Sequence, residues 1–122
     1  MTSFLPSLVS RDADGAERRA DPRKPLRANA ELLIGGEHIA VRTLDISTSG
    51  IGISTSINPR SGQTVSLLLA PSQTPRGRNF VAVPVTVVHS ILTRGEGEFK
   101  VGLRFAELPA GAIEVVRGYL LG

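Results

Sequence analysis

Two groups of residues in this 122-residue chain have types and spacings suited to gripping an anionic, hydrogen-bonding ligand. The first is Arg18-Arg19-Ala-Asp-Pro-Arg23, in which Arg19 and Arg23 form an R-x-x-x-R pair preceded by a third arginine. A guanidinium is a planar fork that can bind phosphate, or the O6 and N7 edge of guanine, through two parallel hydrogen bonds. A chain with so many arginines should contain roughly one such pair by chance, so the pair alone says little. The second group is Asp45-Ile-Ser47-Thr-Ser-Gly50. A D-x-S-x-x-G string of this composition should arise by chance in only about one such sequence in thirty. Asp45 and Ser47 are two residues apart, so at a strand end they project to one side, and Gly50 permits a tight turn or close backbone approach. Each group also has a plainer reading: an Asx-turn after a strand for the second, a solvated basic linker for the first.

Other chemistries fare poorly. With no cysteine and two histidines, the chain has no thiolate nucleophile, disulfide or cysteine-based zinc site, and little from which to build another metal centre. His38 reads as an exposed hairpin residue. His89 has the parity of Val81, Val83, Val85 and Val87, so it reads as a satisfied sheet histidine rather than a base, and no nucleophile motif accompanies it. Gly50-Ile-Gly52 lacks the third glycine of a dinucleotide fingerprint, since Thr55 stands there. We therefore expect no catalytic residue, no metal and no enzyme activity.

The elements that would position these groups are short strands. Ala30, Leu32 and Ile34 alternate with polar residues, Gly35-Gly36 supplies a turn, and Ile39, Val41 and Thr43 alternate again, which predicts a hairpin. Its second strand leads into Asp45–Gly50, and Ile51-Gly-Ile53 begins a third. A fourth strand is expected over Thr64–Leu69, then a loop from Pro71 to Arg78. A long fifth strand contains the valines, and Pro84 within it implies an edge position, a bulge or a bend. Val101, Leu103 and Phe105 share one face of a sixth strand, with Gly102 and Arg104 opposite. After Pro109, the spacing of Ile113, Val116 and Leu120 predicts a short amphipathic helix. Consecutive strands with no intervening helices argue for an all-β fold, an antiparallel barrel closed or covered by that helix.

Charge is concentrated in one place. The window Glu17–Arg27 holds five of the 14 basic residues and two of the 11 acidic ones, enough to account for the formal charge of +3. Pro22 and Pro25 discourage a continuous helix there, so an extended or irregular arm is expected. The high isoelectric point suggests nucleic acid as a partner, but the chain has four phenylalanines, one tyrosine and no tryptophan for base stacking, and a near-neutral body. Residues 1–17 show no periodicity and read as a flexible leader. No stretch is apolar for long enough to span a membrane, and no targeting pattern is evident, so a cytoplasmic location is expected.

Taken together, an arginine pair upstream of the first strand and D-x-S-x-x-G at the end of the second resemble the PilZ domain, a bacterial receptor for the second messenger cyclic diguanylate (cyclic di-GMP). The resemblance extends over residues 17 to about 121 and includes Val101-Gly-Leu-Arg-Phe105 and the terminal helix. It implies a six-stranded antiparallel PilZ-type barrel, with an arginine arm at 18–27, the barrel at 28–106 and the helix at 109–121. It also implies that Arg18, Arg19, Arg23, Asp45, Ser47 and Gly50 bind cyclic di-GMP, with Gly102 and Arg104 in support. Asp45 and Ser47 would accept from guanine or orient the arginines, and ligand binding would order the arm and signal to a protein partner downstream. An arginine at the position of Arg18 is associated in that family with a stacked pair of ligand molecules. Asp21, between the two arginines, could pair with either and weaken binding. That leaves a second reading, an interaction adaptor of the same fold with no nucleotide affinity, ahead of a nucleic-acid-binding barrel.

Overall fold

The computed structural model describes residues 21–94 and 97–122. Arg18, Arg19 and the leader expected at 1–17 lie outside the described residues, as do two residues of the turn after Arg94. Among the described residues, seven strands and one helix follow in order: β1 (Lys24–Pro25), β2 (Asn29–Ile34), β3 (Glu37–Ile46), β4 (Gly50–Thr55), β5 (Thr64–Leu69), β6 (Val81–Leu92), β7 (Phe99–Phe105) and α1 (Ala110–Leu121).

Strand β2 pairs with β3 and β5, β6 joins β5 to β7, and β4 joins β7 to β3, all antiparallel. The ring is thereby closed: six strands make a barrel with no free edge among them. The seventh, β1, is a two-residue ladder that the arm adds to the end of β3. The β2–β3 hairpin turns on Gly35 and Gly36, with φ of 59° and 80°, a conformation glycine adopts without steric cost.

Alternation explains the interior. Leu32, Ile46, Ile51, Ile53, Leu67, Leu69, Val83, Val85, Val87, Val101 and Leu103 all point inward and are buried. Branched aliphatic side chains suit a narrow pleated interior, so the chain fills its core with few aromatic residues. Truncating any one of them to alanine would cost about 2–5 kcal/mol for the larger side chains.

Two details differ from the sequence reading. Pro84 is not on an edge: it pairs with Ser66 on β5 and its carbonyl accepts from the Ala106 amide at 3.0 Å, just before the β6–β7 ladder starts at Val85, and the irregularity in β6 falls later, between Val87 and His89. The bulge there reverses the parity, so His89 leaves the valine face and is exposed on the outside of the barrel. The helix is also rotated from expectation: Ala112, Val115 and Val116 are its buried residues, and Ile113 remains 40% exposed. The spacing of Ile113, Val116 and Leu120 fits a helix, but the face turned to the core is the one that carries Ala112, Val115 and Val116.

The helix starts at Pro109, whose extended backbone supplies the N-cap and whose carbonyl accepts from the Ile113 amide at 3.0 Å. At its other end the Lys24 ammonium donates to the carbonyls of Leu120 (3.3 Å) and Gly122 (3.1 Å), placing a cation where the helix dipole is negative. The arm and the helix are thus joined at one point.

Candidate functional site

The site is built where the arm crosses the end of β3. Leu26 is buried in the core, and its amide donates to the Leu44 carbonyl at 3.1 Å. Between β1 and β2 the ladder is interrupted, and buried Thr43 fills the gap: its hydroxyl accepts from the Ala28 amide (3.1 Å) and donates to the Leu26 carbonyl (2.9 Å). Beyond that junction Lys24 pairs with Ile46 and Pro25 with Asp45. This register brings Arg23 level with the start of the β3–β4 turn.

Arg23 Nη1 donates to Ser47 Oγ at 3.2 Å and lies 3.5 Å from Asp45 Oδ1. The structure therefore brings together three of the residues singled out in the sequence. The Arg23 side chain is 44% exposed, so its remaining donors face outward, whereas that of Asp45 is 35% exposed. Asp45 Oδ1 is itself buried and has no hydrogen-bond donor among the described residues, since 3.5 Å supports an electrostatic attraction rather than a formed bond. It is an acceptor with unused capacity.

Ser47 differs from Asp45. It is fully buried, and its hydroxyl oxygen accepts from the amides of Ser49 and Gly50, each at 3.3 Å, as well as from Arg23. Its own amide donates to the Gly50 carbonyl at 2.9 Å and closes the turn. Of the two roles the sequence suggested, facing a ligand or orienting an arginine, the geometry equips Ser47 for the second. Gly50 has a backbone reason to be glycine: a Cβ there would lie 2.0 Å from the Leu103 carbonyl oxygen and 3.1 Å from the Arg104 Cα. That close approach packs the turn against β7, where the Phe105 amide donates to the Ser49 carbonyl at 2.9 Å.

Among the described residues Asp21 has partners that the sequence reading did not name. Its carboxylate accepts from the hydroxyls of Thr48 (2.5 Å), Ser47 (3.2 Å) and Ser49, so the polar turn between the motif residues serves as its socket. Partial burial acts to raise its pKa. The bonds from Ser49, Thr48 and Ser47, with one from the Thr48 amide, outweigh that and hold the carboxyl below its ordinary value. Only the Ser-Thr-Ser run hinted at such a cluster of donors. Lys24 gave no sequence signal for its capping role either.

The supporting residues lie along the outer face. Gly102 pairs with Gly52, which in turn pairs with Asp45, so Gly102 is two strands away from that carboxylate. Arg104 pairs with Gly50 and with Thr86 and is exposed. Arg23 also lines an apolar groove of about 600 Å³ between the arm and the helix residues Ile113, Val116 and Leu120. Among the described residues no three His, Asp or Glu side chains converge as metal ligands, and no helix is long and apolar enough to cross a membrane.

Comparison with known proteins is consistent with this architecture. The family model of the PilZ domain matches residues 17–122. The flagellar brake protein YcgR of Xanthomonas campestris pv. campestris (strain B100) is 29% identical, over 70% of this chain but 34% of its own length, so the chain spans about a third of that relative. Among solved structures, the inhibitor of motility MotI/DgrA of Bacillus subtilis aligns with a TM-score of 0.66 at 19% identity, covering 85% of this chain and 49% of that one. The K. pneumonia MrkH–c-di-GMP complex aligns at 0.62 and 19% identity, covering 85% and 51%. The PilZ domain of Escherichia coli YcgR with c-di-GMP aligns at 0.58 and 10% identity, covering 85% and 89%.

Proposed function

The chain belongs to the PilZ domain family, and from that premise we propose that it is a non-catalytic receptor for cyclic di-GMP. The observation that carries this reading is the convergence of Arg23 on Asp45 and Ser47, with the guanidinium half exposed and held in place from beneath. A cyclic dinucleotide offers two phosphates and two guanines, each a partner for the arginine fork. In this reading Arg18 and Arg19 close over a ligand seated beside Asp45, and Arg23 turns towards it from the side of the β3–β4 turn. Two of the structural neighbours are complexes with c-di-GMP, which supports the ligand class.

The signal leaves through the arm. Arg23 is adjacent to Lys24, whose ammonium holds the last carbonyls of the helix, so movement of Arg23 towards a ligand pulls on the helix end and the groove beside it. A protein partner then reads the position of the arm. A second reading, an adaptor of the same fold without nucleotide affinity, draws support from Asp21, whose carboxylate already occupies the turn hydroxyls.

Isothermal titration of the chain with cyclic di-GMP separates the two. Saturable binding with a defined stoichiometry is expected. Absence of heat at high micromolar ligand, from protein shown to be folded, removes the receptor reading and leaves the adaptor.

A further inference from the structure

The outer face of the barrel carries a second feature, four strands wide, that neither arginine motif explains. Asp45 on β3 pairs with Gly52 on β4, Gly52 with Gly102 on β7, and Gly102 with His89 on β6. These four residues form one row across the sheet. The two inner positions have no side chain, and both outer ones follow a register shift, between Thr43 and Asp45 in β3 and between Val87 and His89 in β6. Bulges re-aim side chains, and here both direct a polar group to the outer face at the same level.

Both of these side chains lie over the glycines. A Cβ on Gly52 would fall 2.7 Å from Asp45 Oδ1, and one on Gly102 would fall 2.1 Å from His89 Cε1 and 2.5 Å from its Nδ1. The imidazole therefore rests against bare backbone, yet His89 remains exposed. Lys100 and Arg104, two residues either side of Gly102 on β7, are also exposed and share its outward parity. The row is a curved band on the barrel's outer surface, with an acceptor at one end, an aromatic ring at the other and cations along its flank.

Size matters next. Three interstrand steps of about 4.8 Å separate the β3 and β6 ends, about 14 Å measured along the curved outer surface of the ring. Arg23 lies at the Asp45 end, so a ligand with two purines has a second end that Arg23 does not reach. Of the five aromatic residues other than histidine, none is in this row, which leaves the imidazole as the stacking surface. Histidine is one of the side chains on which unstacked bases pack.

We infer that His89 is a ligand-binding residue: a purine base of the bound nucleotide stacks on its imidazole, above the Gly52–Gly102 floor, and Gly102 is glycine so that the ring can lie there. This rests on the receptor reading above and adds a specificity-determining contact to it. The alternative role for the ring is to cover the backbone of Gly102, which is buried, as aromatic residues do beside sheet glycines, and this would affect stability alone.

The test uses the whole chain, titrated with cyclic di-GMP by calorimetry, alongside urea unfolding. His89→Ala should weaken binding by roughly 5- to 150-fold, the range for losing one base-stacking contact. His89→Phe should recover most of that loss, because it restores a ring without the polar atoms. Gly102→Ala leaves the imidazole in the chain but pushes it off its seat, and should weaken binding in the same direction. If wild type binds and His89→Ala stays within about twofold of it, or His89→Phe is as weak as His89→Ala, stacking on His89 is refuted while the receptor reading stands. A fall in unfolding midpoint without a fall in affinity assigns the ring to shielding and also refutes it. No binding by wild type removes both readings together.

Discussion

Replacing Arg23 by alanine should separate affinity from stability, because the two depend on different parts of the side chain. In the folded protein the guanidinium makes one bond to Ser47 at 3.2 Å and one attraction to Asp45 at 3.5 Å, from a side chain 44% exposed. Pairs this exposed contribute about 0.2–1 kcal/mol, so the urea midpoint should move little. A charge-assisted bond to a ligand phosphate or guanine is worth about 1.5–3 kcal/mol, so the dissociation constant should rise roughly 10- to 150-fold. The partner variant Asp45→Ala tests the geometry. If Asp45 acts by orienting Arg23, the double variant should bind no more weakly than Arg23→Ala alone, a coupling of about 1 kcal/mol or more in the cycle. Calorimetric titration of the four proteins gives the coupling, with exposed Arg76→Ala as a control that should be nearly silent. Strictly additive losses would refute the orienting role of Asp45. Equal losses at Arg23 and Arg76 would refute a defined contact altogether and indicate diffuse charge attraction.

Two further outcomes concern the turn. Gly50→Ala should lower stability by about 1–3 kcal/mol, since its Cβ meets the Leu103 carbonyl at 2.0 Å and no rotamer change can relieve a backbone clash. Gly111→Ala, with nothing within 4 Å in the first turn of the helix, should not destabilise, and an unchanged urea midpoint for Gly50→Ala would contradict the packing described. Asp21 predicts an acid dependence. Its folded pKa is depressed, so the stability it contributes is present above the unfolded carboxylate pKa and is lost as pH falls through the folded value. Asp21→Asn should therefore be less stable than wild type at neutral pH, with the gap closing in acid; parallel stability curves for the two proteins would show that the hydroxyl socket contributes nothing.

The barrel was legible in the sequence because its information is local. Val83, Val85 and Val87 alternate, Gly35-Gly36 turns, and Pro109 opens a helix, each for reasons within a few residues of itself. The strand Thr64–Leu69 was readable to the residue on that basis. The D-x-S-x-x-G string likewise marked the turn against which the arm docks.

What the linear pattern did not contain was set by neighbouring strands. Parity placed His89 with the core valines, and only the pairing of β6 with β7 creates the bulge that turns it outward beside Gly102. The need for glycine at position 50 comes from a carbonyl 53 residues away, and the arm holds its place through Thr43, Ser47 and the helix terminus, all distant in sequence. Alternation and turn chemistry are properties of a single strand, so one sequence reveals them. Bulges, close backbone approaches and the seat of a charged side chain are properties of two strands in register, and they exist only once the ring has closed.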